Sequence, residues 1–180
     1  MVPDIALRLS ATLKALEDVI TPAISQEADL AREQLELVKR SIALVIDQLP
    51  FEYAYLAQDA NTDRALAREL ASFFLPGHAM QAELLDAVRD SENTLPLATR
   101  DARDLARCWR NLKSVLEEAV SALAKDMGTS GSSALTEVIL RYSETRNVRE
   151  RAWIAATGFD PDPESLPGIA EAALGLGSAS

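Results

Sequence analysis

Residues 30–49 read LAREQLELVKRSIALVIDQL, and this stretch decides the fold class. Ala31, Leu35, Val38, Ile42, Val45 and Leu49 recur at spacings of 4, 3, 4, 3 and 4. That is the period of an α-helix and not the alternation of a strand. Leu30, Leu37 and Leu44 form a second stripe beside the first. At ~100° per residue the two stripes cover well over a third of the helix circumference. A helix this apolar is either central in a bundle or shared with a second subunit. Its span is read as Ser25 to Leu49.

The pattern repeats on both sides. Ile5, Leu9, Leu13, Leu16 and Ile20 mark a helix from Pro3 to Thr21, with Pro22 as a break after Ile20. Pro50 starts a new segment holding Phe51, Tyr53 and Tyr55. Asn61, Thr62 and Asp63 read as a turn and N-cap before a helix from Asp63 to Leu75. Pro76-Gly77-His78 breaks it, and a shorter helix runs from Ala79 to Arg89. Leu105, Trp109, Leu112, Leu116, Ala119, Leu123 and Met127 define a helix from Leu97 to Met127. The run from Gly128 to Ser133 reads as a flexible linker. The last long helix spans Ala134 to Ala156, with Gly158 as its stop. Ala and Leu are abundant and β-branched residues sparse, which favours helix throughout. The expectation is an all-α, single-domain helical bundle of four long helices plus two or three short ones. The bundle occupies residues 1–159. Residues 160–180, with Pro161, Pro163 and Pro167, form an arm with one short helix near Ile169 to Leu174.

Composition removes whole classes of function. The chain of 180 residues has one His and one Cys. A lone Cys closes no intramolecular disulfide, and a lone His cannot supply the paired Glu-x-x-His motifs of a di-iron bundle. Zinc sites built from several Cys and His fall with them, and no metal or cofactor is expected. The net charge of −10 disfavours sequence-independent nucleic-acid binding, which depends on cations meeting phosphates. Charged residues interrupt Met1 to Ile20, so a signal peptide is not expected, and no stretch reads as a membrane span. A cytoplasmic protein is the expectation.

The charge is unevenly distributed: residues 100–151 hold ten of the eighteen Lys and Arg. Two arginine patterns stand out there. On the last long helix, Tyr142, Arg146, Arg149 and Trp153 continue the direction of Leu135 and Ile139 to within ~40°. Two guanidinium groups between two aromatics suit an anionic, partly apolar small molecule. The competing reading pairs these arginines with acids of the first two helices, such as Glu27, Glu33 or Asp47. On the preceding helix, Arg100, Arg103, Arg107 and Arg110 face away from the core, where an acidic protein partner or a second subunit would dock. Their bland alternative is a solvated face with local ion pairs.

Other residues offer less. Phosphotransfer bundles place an exposed His mid-helix before a Lys, whereas His78 lies in a break before Ala79, a surface or capping position. Cys108 reads as a small hydrophobe on an apolar flank. Gly128 to Ser133 lacks the Lys of a phosphate-binding loop. Asp86 with Asp90, and Glu33 with Glu36, read as solvated acids. No catalytic set emerges. The expected function is therefore non-enzymatic: a helical bundle acting through protein contacts, as a homodimer. The alternative is a small-molecule binding protein using Tyr142, Arg146, Arg149 and Trp153.

Overall fold

The repeating apolar spacings are realised as helices along the chain, and no strand occurs among the described residues. The computed structural model describes residues 4–94, 102–126 and 129–176, with the side chains of 102–105 and 129–132 excepted. The protein is all-α. The helices are α1 (Ile5–Ala15), α2 (Thr21–Ala23), α3 (Asp29–Gln48), α4 (Glu52–Ala71), α5 (Ala79–Thr94), α6 (Ala102–Asp126), α7 (Thr129–Ile154) and α8 (Ile169–Leu174). Contacts divide the chain into two compact units. One is Met1–Glu52 with Val148–Ser180, and the other is Tyr53–Asn147.

In the first unit, α1 continues through a π-helical turn, Leu16–Ile20, into α2. Pro22 has no N–H, and its ring crowds the carbonyl four residues back, so the helix widens there. The Thr21 hydroxyl donates to the Leu16 carbonyl at 2.8 Å. The helix thus carries through Pro22 to Ala23 instead of stopping after Ile20, and Ile24 turns extended. α3 packs against α1 and against the 3-10 turn Ala155–Thr157. It begins at Asp29, four residues later than its spacing suggests.

Gly158 ends this turn at φ +80, and a Cβ there would meet Arg40 Nη1 at 3.1 Å. Only glycine adopts that backbone without strain. Gln48 Nε2 donates to the Trp153 carbonyl at 2.8 Å. Arg151 grips Asp160 with two 2.8 Å hydrogen bonds, which fixes the start of the C-terminal segment. α8 follows and buries Ala172 and Ala173.

The second unit contains α5, α6, nearly all of α4 and most of α7. Leu66, Leu70, Leu84, Leu112, Leu116, Leu123 and Leu135 meet in one core with Val88, Val138 and Phe74. Leu70, Leu84 and Leu112 are fully buried, each having expelled water from a complete leucine side chain, worth roughly 1.5–3 kcal/mol. α5 opens at His78, whose Nδ1 accepts from the Met80 N–H at 3.2 Å while its ring stacks on Phe74. His78 is thus a helix cap.

Two further stretches that read as breaks are helical. Asn61-Thr62-Asp63 is not a turn: α4 runs unbroken across it for 20 residues, adding a long helix to those expected. Thr129 to Ser133 is not a linker but the start of α7; Gly128 and Met127 lie outside the described residues, as do Pro3 and Leu97.

Candidate functional site

α4, α6 and α7 each present a pair of residues one turn apart to a common point in the second unit. The pairs are Asp59 and Asp63, Trp109 and Lys113, and Tyr142 and Arg146. Residues at i and i+4 share a helix face, so each helix contributes two functional groups in register. Asp63 is the centre and is only 1% exposed. Its Oδ2 accepts from Trp109 Nε1 at 2.9 Å. Its Oδ1 accepts from the Tyr142 hydroxyl at 2.5 Å and lies 3.4 Å from Arg146 Nη1. Arg146 Nη1 also donates to the Tyr142 oxygen at 2.7 Å. Asp59, also buried, sits 3.8 Å from Arg146 Nη2. Lys113 Nζ stands 4.0 Å from the centre of the Trp109 ring.

These contacts have a clear electrostatic logic. A buried carboxylate requires directed donors to offset lost hydration, and Asp63 has three. Tyr142 relays between Arg146 and Asp63, donating to one and accepting from the other. Burial pushes its phenol up to about 12, reinforced by the Asp63 carboxylate and opposed by Arg146. The hydroxyl therefore stays protonated and keeps its donor role. Such a network ties three helices in a single register, because a shift of one residue would strand every partner.

A groove of about 400 Å³ opens beside the network. Leu66, Leu116, Val120 and Ile139 form its apolar wall, with Tyr142, Arg146, Lys113, Glu117, Ser121 and Ser143 around them. Among the described residues no cluster of three His, Cys, Asp or Glu could hold a metal ion.

The sequence-derived candidates are distributed as follows. Tyr142 and Arg146 come together in the second unit. Arg149 and Trp153 belong to the first unit, with Arg149 buried and Trp153 half-buried. Within the second unit Arg146 meets the acids Asp59 and Asp63 of α4. Arg107 and Arg110 are exposed on α6, while Arg100 and the Arg103 side chain lie outside the described residues. Cys108 is half-buried. Asp86 pairs with Arg89, and Glu36 with Lys39, along single helix faces.

Sequence reading missed Asp59 and Asp63. The signal was present: Leu56, Asp59, Asp63, Leu66 and Leu70 are spaced 3, 4, 3 and 4. Two acids therefore occupy an apolar stripe, where a carboxylate needs partners on neighbouring helices. No protein family, no curated protein and no solved structure matches the chain.

Proposed function

We infer that the protein acts through protein–protein contacts, as a homodimer, and that the first unit supplies the contact face. One observation carries this reading: large apolar side chains lie exposed along α1, its π-helical turn and α3. Ile5, Leu7 and Val19 are about 60% exposed, Leu30 is 71% exposed, and Val38 and Val45 exceed 40%. Leu9, Leu37, Ile42 and these two valines border a groove of about 300 Å³. An apolar groove flanked by exposed valines supports an interaction site there.

The chemistry of the face favours a second copy as the partner. Gln34, Val38, Ser41 and Val45 fall within ~60° of one another on α3, and none is charged. Arg32, Glu36, Lys39, Arg40 and Asp47 occupy the opposite arc. Two chains of charge −10 repel one another, so they can share only a face without net charge. A two-fold pairing of α3 with its own copy satisfies that condition, since each uncharged residue meets another uncharged residue. Replacing Val38 and Val45 together with Glu places four carboxylates in that contact. The expected result is a monomer with unchanged helicity by circular dichroism. A double variant that stays the size of the parent overturns the assignment of the face.

A further inference from the structure

The network around Asp63 gives the neighbouring groove a polar end and an apolar end. Lys113 is tied to Asp63 through Trp109, on which its ammonium rests. Arg146 is tied to Asp63 directly and through Tyr142. Both cations therefore stand at one end of the groove. Val120 and Ser121 lie two turns further along α6, and Ile139 lies two turns back along α7. From Lys113 to Ser121 the groove runs ~12 Å, at 1.5 Å per residue. Leu66 and Leu116 line its middle. At about 400 Å³ it falls in the size range of small-molecule sites.

We propose that this groove binds a medium-chain alkyl carboxylate, with its head at Lys113 and Arg146 and its chain along Leu116, Val120 and Ile139. Lys and Arg side chains offer only donors, so the head they select must be an acceptor, and a carboxylate fits both. The Tyr142 hydroxyl and the buried acids hold Arg146 in place before any ligand arrives, which lowers the ordering cost of binding. Glu117 on the wall and Asp59 and Asp63 behind Arg146 weaken the positive field. The apolar chain must therefore supply much of the affinity, so a shorter chain binds more weakly. This site lies wholly within the second unit and is independent of the homodimer reading.

The test is isothermal titration calorimetry on the full chain with octanoate, butyrate and octylamine. Octanoate is expected to saturate one site, butyrate to bind at least tenfold more weakly, and octylamine not to bind. Lys113→Ala is expected to weaken octanoate about tenfold. Val120→Trp, which fills the apolar end, is expected to abolish the heat. In a Trp153→Phe background the remaining fluorescence belongs to Trp109, and octanoate is expected to change it. Absence of octanoate binding to the parent protein overturns the proposal. So does octylamine binding as tightly as octanoate, or octanoate affinity unchanged in both Lys113→Ala and a folded Val120→Trp.

Discussion

The two units use the same helical grammar and bury very different amounts of it. In the second unit the leucines of four helices close on one another, and Leu70, Leu84 and Leu112 have no access to water. In the first unit the buried side chains among the described residues are Leu44, Arg149, Ala152, Ala172 and Ala173. Three of these five are alanines, which remove little apolar area when buried. The α3 stripes that most strongly imply a core helix therefore leave Leu30, Val38 and Val45 exposed and Leu35, Ile42 and Leu49 only partly buried. The lesson is that periodicity reports which face wants burial, not whether the same chain buries it. The polar groups follow the same division. The second unit encloses a carboxylate with three directed donors, while the first unit anchors its C-terminal segment with a bidentate Arg151–Asp160 pair.

The largest effect that tests this contrast is expected at Asp63. Asp63→Ala leaves the Trp109 N–H, the Tyr142 hydroxyl and Arg146 short of a partner. Breaking a buried charge pair in this way costs about 3–5 kcal/mol, measured by urea unfolding. A loss below about 1 kcal/mol would mean that the network contributes little. Next, Leu70→Ala opens a cavity in the closed core and is expected to cost about 3 kcal/mol. Leu44→Ala, in the open unit, should cost less, because its surroundings can collapse and water is near. Equal losses at the two leucines would break the comparison.

Smaller effects follow from pH. The Tyr142 phenol ionises at about 12, against an ordinary value of 10.0. As pH rises from 10 the unfolded chain loses this proton first, so stability falls between about pH 10 and 12 and is intact below. Tyr142→Phe removes that slope. In phenolate absorbance, one of the three tyrosines should ionise late while the protein remains folded. At the acid end, hydrogen bonds from Arg151 and the Asp162 N–H hold the Asp160 carboxyl down at about 2, from an ordinary 3.8. Its contribution is complete above about pH 4 and disappears as pH falls toward 2. Asp160→Asn should flatten that acid limb slightly, the smallest of these effects.

The helix class was legible in spacing alone, and so was the stop at Gly158, because glycine in a left-handed backbone is a local property. Asp63 was misread because Asn-Thr-Asp has the composition of a cap. What keeps α4 intact there is not local: Trp109 and Tyr142 supply donors from 46 and 79 residues away. Thr129 to Ser133 looked like a linker for the same reason, since helix propensity yields to the packing of the helix it begins. The arginine stripe on α7 was legible as a direction along one helix. Its division, with Tyr142 and Arg146 in one unit and Arg149 and Trp153 in the other, depends on which helices surround each turn. Single-helix geometry holds no record of that.

We propose that a second copy closes the apolar face of the first unit. Light scattering coupled to size exclusion, at protein concentrations well above micromolar, tests it most directly. The expected mass is twice the chain mass of 19.5 kDa for the parent and the chain mass itself for the Val38→Glu, Val45→Glu double variant. A parent protein that stays at the mass of one chain across that concentration range would contradict it.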